Sequence, residues 1–131
     1  MIKEKITFIG PGKMAEAMIA GLLREDVCKP DQISASGPRQ ERVDQLKETY
    51  GIQPYTDNLQ AASEADIVVF SIKPQRLEKV MEDLDGKLKP ETLIISIIAG
   101  ATIKKISKGT GIKNIVRSMP NTPGSIGMGI T

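Results

Sequence analysis

Histidine and tryptophan are absent from the 131 residues, cysteine occurs once, as Cys28, and only two Tyr and two Phe are present. Without imidazole the chain has no histidine to serve as metal ligand, general base or triad member, and a lone thiol closes no internal disulfide. Zinc and Ser-His-Asp chemistry are therefore disfavoured. Four aromatic rings offer few platforms on which the bases of a single strand could stack. A dominant charge is missing too. The 18 basic and 16 acidic residues leave a formal charge of +2 with no long run of either sign, so neither a nucleic-acid partner nor a membrane surface is expected. No apolar run is long enough to span a bilayer, and Lys3-Glu4-Lys5 leads into the first apolar run without a signal-type segment, which makes a cytoplasmic location the expectation. A hydrophobic content of 40% over this length suits one compact domain, residues 1–131, with its own core.

What the chain does have is Lys5-Ile6-Thr7-Phe8-Ile9-Gly10-Pro11-Gly12-Lys13-Met14-Ala15, a short apolar run that breaks into a glycine turn. Behind it Ala15, Met18, Ile19, Leu22 and Leu23 recur at helical spacing. The pattern predicts strand, tight turn and helix. In such a unit the first glycine permits the turn, the second lets backbone approach a pyrophosphate, and a small third residue lets the helix lie against the strand. Gly10, Gly12 and Ala15 hold those places. A glycine-rich turn in an ordinary βα unit is the plainer reading of the motif alone. The flanking strand and helix favour a dinucleotide at the helix N-terminus.

Further along, Gln32 to Ser36 predicts a second strand, and Arg39 to Thr49 a helix closed by Tyr50-Gly51. Ile52 to Tyr55 reads as an edge strand that tolerates Pro54, and Asn58 as the N-cap of a short helix through Ala62. Ile67 to Ile72 is a nearly continuous apolar strand stopped by Lys73-Pro74, followed by a helix from Gln75 to Leu84 and a buried strand from Thr92 to Ile98. Thr102 caps a further helix, and Ile115-Val116 begins the last strand. Six strands alternating with helices imply an α/β fold, a doubly wound parallel sheet of Rossmann type in the order 3-2-1-4-5-6 with helices on both faces. Ligands bind such sheets past the carboxyl ends of the strands, where the order reverses. Gly10, Ser36, Ser71, Lys73, Ala99 and the segment after Met119 fall on that edge.

Sites for NAD place a carboxylate at the end of the second strand to bond the ribose 2′-hydroxyl. Here Ser36-Gly37-Pro38-Arg39 stands there, and a hydroxyl with a guanidinium suits a 2′-phosphate better. NADP(H) is therefore preferred, with Ser36 and Arg39 as its readers, and NAD(H) remains possible. Arg39 is alternatively a solvated first-turn residue. Lys13 either helps neutralise phosphates or is a solvated lysine on the outer face of the helix.

Four segments then carry a resemblance. Ile9-Gly10-Pro11-Gly12-Lys13-Met14-Ala15, Ser71-Ile72-Lys73-Pro74-Gln75, Ser96-Ile97-Ile98-Ala99-Gly100 and Arg117-Ser118-Met119-Pro120-Asn121-Thr122-Pro123 resemble, in order and spacing, the N-terminal domain of pyrroline-5-carboxylate reductase. The resemblance implies hydride transfer from NAD(P)H to the imine carbon of 1-pyrroline-5-carboxylate, the last step of proline biosynthesis. It places Gly10, Gly12 and Met14 at the dinucleotide, Ser36 and Arg39 at the 2′-phosphate, and Asn58 near the adenosine. Ser71, Lys73, Pro74 and Ala99 would line the pyrophosphate and nicotinamide-ribose side, with Asn121 toward the reacting end. Plainer roles remain for several of these: Asn58 as a cap, Ser71 and Pro74 as a strand end, Met14 as packing. The resemblance further implies a helical C-terminal domain that dimerises the enzyme and supplies most of the substrate pocket. The catalytic groups are thus expected beyond Thr131, and this chain is expected to bind NADPH without appreciable reduction. A nucleotide-binding regulatory module, or another NADP-dependent dehydrogenase such as the 6-phosphogluconate and 3-hydroxyisobutyrate group, would share the same first half.

The basic end of the second strand makes a direct prediction. Arg39→Ala should weaken NADPH more than NADH in paired titrations, and an unchanged preference would remove Arg39 from the 2′-phosphate.

Overall fold

The computed structural model describes residues 2–118. Its strands are β1 (Ile6–Ile9), β2 (Ile33–Ser36), β3 (Gln53–Tyr55), β4 (Ile67–Phe70), β5 (Leu93–Ser96) and β6 (Ile115–Arg117). Five helices connect them: α1 (Lys13–Arg24), α2 (Gln40–Tyr50), α3 (Asn58–Ala62), α4 (Leu77–Leu84) and α5 (Ile103–Thr110). All strand pairs are parallel and the sheet runs β3-β2-β1-β4-β5-β6, the expected order. The reversal lies between β1 and β4, where Ile9 pairs with Ser36 on one side and with Phe70 on the other.

Successive strand side chains point to opposite faces, so the central strands feed two cores. Phe8 and Val69 pack with Ala15 and Ile19 of α1 and Leu46 of α2. Ile9, Val68, Phe70 and Ile94 pack on the other face with Ala62 of α3, Leu77, Val80 and Leu84 of α4, and Ile106 of α5. That two-sided burial is why these strands read as continuous apolar runs.

The boundaries differ from the sequence reading in instructive places. The strand expected to reach Ile98 ends at Ser96, whose Oγ accepts a hydrogen bond from Ile98 N at 3.3 Å and bends the chain. The helix expected from Gln75 starts as a 3-10 turn over Pro74–Arg76, with proline at its first position, and becomes α-helical only at Leu77. The cap of α3 is Asp57, not Asn58: Asp57 Oδ1 accepts from Gln60 N at 3.1 Å. The two residues are equivalent capping types in sequence, and the carboxylate wins because Asn58 is engaged elsewhere. Thr102 caps α5 as expected, accepting from Lys105 N at 3.0 Å.

Phe70 is fully buried on a central strand, whereas Val116 on the edge strand is 49% exposed. Phe70→Ala should cost about 3–5 kcal/mol in denaturant unfolding. Val116→Ala should stay within about 0.5 kcal/mol, as an exposed position away from the core.

Candidate dinucleotide site

The site begins with the way β1 ends. Gly10 has φ +102°, and a Cβ placed on it would stand 2.6 Å from Ile72 Cγ2 and 2.7 Å from the Ser71 carbonyl oxygen. Only glycine allows β1 to turn this close to the end of β4. Neighbouring strand ends hold the turn in place. Gly10 N donates to Ser36 O at 2.9 Å, Ser71 N donates to Ile9 O at 2.9 Å, and Ser71 Oγ donates to Gly10 O at 2.8 Å. On the β2 side, a Cβ on Gly37 would come within 2.5 Å of the Pro11 ring, so Gly37 lets the turn and the second strand pack together.

Gly12 is the N-cap of α1 and carries no side-chain cap, unlike Asp57 before α3 and Thr102 before α5. A Cβ on Gly12 would meet no atom within 4 Å. The 12-residue helix thus begins without a side-chain cap at exposed Gly12 and Lys13, at its positive dipole end. This arrangement fits a pyrophosphate: uncapped donors, a helix dipole and backbone that approaches without a side chain in the way.

Behind the turn stands Arg42 of α2. Its Nε donates to Pro11 O at 2.6 Å, and its Nη2 reaches Gly12 O at 3.3 Å and Glu16 Oε1 at 2.8 Å. Glu16 Oε2 accepts from the Tyr50 hydroxyl at 2.8 Å. The Arg42 hydrogen bond, seconded by Tyr50, holds the Glu16 carboxyl below its usual range, and the same carboxylate pushes the Tyr50 hydroxyl up.

Two clefts flank the turn along the carboxyl ends of the strands. One, of about 330 Å³, is lined by Met14, Ser71, Ile72, Lys73, Pro74, Ile97, Ile98 and Ala99. It gathers Met14, Ser71, Lys73, Pro74 and Ala99, which were singled out separately from three segments of sequence. The other, of about 620 Å³, lies past β2 and β3 and includes Pro38, Asn58, Arg76, Lys79 and Asp83. Asn58 lines it half-buried, accepting from Ser36 Oγ at 2.7 Å and donating to Asp83 Oδ2 at 3.5 Å. Ser36 itself is fully buried with its hydroxyl committed to Asn58, which leaves the exposed Arg39 as the cation at the end of β2. Lys13 is exposed on the first turn of α1. Asn121 and the Met119 to Pro123 segment lie outside the described residues. Sequence reasoning missed Arg42 and Asp83. Arg42 sits three residues from Arg39, and Asp83 lies between the carboxylates of Glu82 and Asp85, so nothing in a linear pattern says which one reaches back across the fold.

A family model described as NADP oxidoreductase coenzyme F420-dependent matches residues 5–100. A pyrroline-5-carboxylate reductase from Synechocystis sp. is 38% identical over 127 residues, which are 97% of this chain and 47% of that protein. A solved structure of pyrroline-5-carboxylate reductase from Coxiella burnetii has a TM-score of 0.88 at 37% identity, covering 95% of this chain and 47% of that one. The pyrroline carboxylate reductase of Plasmodium falciparum, solved with NADP bound, has a TM-score of 0.79 at 30% identity, covering 97% and 46%. The chain thus spans about half the length of the curated relatives it matches.

The two glycines of the turn should separate on mutation. Gly12→Ala, with open space at its Cβ, should leave thermal stability nearly unchanged while weakening dinucleotide binding in a titration. Gly10→Ala, with a left-handed backbone and a Cβ forced onto Ser71 and Ile72, should lower the melting temperature itself.

Proposed function

We propose, since the chain belongs to the family described as NADP oxidoreductase coenzyme F420-dependent, that it is the cofactor-binding half of an NADPH-dependent pyrroline-5-carboxylate reductase. The observation that carries this reading is the 330 Å³ cleft beside the glycine turn, where Met14, Ser71, Lys73, Pro74 and Ala99 come together. These residues belong to the segments that resemble the reductases, and the chain matches proteins of that name over nearly its whole length.

When bound, a reduced nicotinamide would supply the hydride for the imine carbon of 1-pyrroline-5-carboxylate. What this chain supplies is position. The uncapped start of α1 and the Gly10-Pro11-Gly12 backbone would hold the pyrophosphate, Arg39 the 2′-phosphate, and Asn58 the adenosine side. The walls of the smaller cleft, Met14, Ile72, Ile97 and Ile98, are apolar and would keep water from one face of a bound ring. Reduction of an imine also needs a proton donor near its nitrogen. Ser71 is a poor candidate, because its hydroxyl is already spent on Gly10 O and Ile9 O at 2.8 and 3.1 Å. The proton donor and most of the substrate pocket are therefore assigned to the half of the relatives that this chain does not cover. That half is also where dimer formation is assigned, making the complete protein a homo-oligomer. A cytoplasmic location accords with the biosynthetic reading, and no helix among the described residues is long and apolar enough to cross a membrane.

The test pairs two proteins. The 131-residue chain should bind NADPH by fluorescence titration yet oxidise none of it when given 1-pyrroline-5-carboxylate. A protein extended to the length of the relatives should turn over. Turnover by the short chain would overturn the division of labour, and cofactor binding without activity in the extended protein would favour a regulatory nucleotide-binding module.

A further inference from the structure

We propose that Arg42 is a positioning residue that locks the glycine turn in its phosphate-binding form, acting from behind through the carbonyls of Pro11 and Gly12. The inference deepens the dinucleotide reading and rests on it for its ligand.

A trans peptide unit is planar, with its carbonyl and the following N–H pointing in opposite directions. Whatever grips the carbonyl therefore aims the N–H. Arg42 Nε donates to Pro11 O at 2.6 Å, which turns the Gly12 N–H away from α2, and Nη2 reaches Gly12 O at 3.3 Å, which does the same for the Lys13 N–H. Those are the donors at the uncapped start of α1, where Gly12 and Lys13 are both exposed. The Gly12–Lys13 peptide is also held by the helix, through Glu16 N donating to Gly12 O at 3.0 Å, whereas the Pro11–Gly12 peptide has Arg42 as its partner and a flexible glycine after it.

The guanidinium is itself held. Nη2 donates to Glu16 Oε1 at 2.8 Å, Nη1 donates to Gln45 Oε1 at 2.7 Å, and the Tyr50 hydroxyl fixes the other oxygen of Glu16. Residues near both ends of α2, Arg42 and Tyr50, thus meet on Glu16 in the first turn of α1. The pairing also settles the charge. A free cation behind the positive end of α1 would be repelled by the helix dipole, and Glu16 offsets it. Arg42 consequently acts on the turn's geometry and not as a ligand of the phosphate. A planar fork that serves two carbonyls and a carboxylate at once has no lysine equivalent.

The test is Arg42→Lys in the 131-residue chain, with Glu16→Gln as a milder companion that keeps the shape and removes the charge. Two probes are titrated, NADPH and adenosine 2′-phosphate, which lacks the pyrophosphate. Losing the fork's bonds to the turn should weaken NADPH about tenfold in Arg42→Lys and less in Glu16→Gln, while adenosine 2′-phosphate changes less than about twofold. Amide hydrogen exchange gives the readout that general destabilisation would not mimic: the Gly10 and Glu16 amides, bonded to Ser36 O and Gly12 O at the two ends of the turn, should exchange faster while the β4 and β5 amides keep their protection. Equal weakening of both probes, or unchanged NADPH affinity with unchanged exchange at the turn, would overturn the proposal. A wild-type chain that binds neither probe refutes the cofactor reading instead, and the exchange comparison still decides whether Arg42 locks the turn.

Discussion

The close approach of β1 and β4 at their carboxyl ends is the constraint on which the rest of the structure depends. Ile9 is hydrogen-bonded in the sheet between Ser36 and Phe70, so the chain leaving it has neighbours on both sides. It can leave only by rising off the sheet, which it does through a left-handed glycine that grazes Ser71 and Ile72. That single turn starts α1 over the reversal point of the sheet. The smaller cleft, the uncapped helix start and the contact between Pro11 and Gly37 all follow from where it lands. A bulkier residue at Gly10 would displace them together, because they share one piece of backbone.

The topology and the ligand edge were legible in the sequence because both are written in local patterns. Buried parallel strands are nearly continuous in apolar residues and their crossovers are helical and right-handed, so six runs with breakers between them fit the doubly wound order 3-2-1-4-5-6. The residues of the smaller cleft were legible for the same reason. Ser71, Lys73 and Ala99 follow directly on buried strands, and in a parallel sheet all such positions fall on one edge. Resemblance to the reductases then supplied what residue patterns alone do not, namely the chemistry proposed for this edge.

What was not legible depends on side chains choosing among equivalent partners. Asp57 and Asn58 are both good caps, and only the fold shows that Asn58 is drawn away by Ser36 and Asp83, leaving Asp57 to accept from Gln60 N. Arg39 and Arg42 are both basic residues at the start of α2. One helical turn apart, they face different surroundings: Arg39 is exposed, and Arg42 turns inward to the glycine loop. A linear pattern holds no term for contacts across 31 positions, the separation of Arg42 from Pro11.

Ser36 and Arg39, at the end of β2, answer to different physical constraints. A serine at the end of the second strand suggests a hydroxyl offered to the ligand, yet here it is fully buried and donates to Asn58. Its work is to orient the Asn58 amide, whose nitrogen in turn faces Asp83. The charge at this end belongs to the exposed Arg39, while Asn58, held by Ser36, forms part of the wall of the larger cleft. An exposed guanidinium is cheap to exchange, since it carries no packing. A fully buried hydroxyl is not, because losing its amide partner leaves it unsatisfied. Substitution is therefore easily accommodated at Arg39 and poorly accommodated at Ser36, although the two lie only three residues apart.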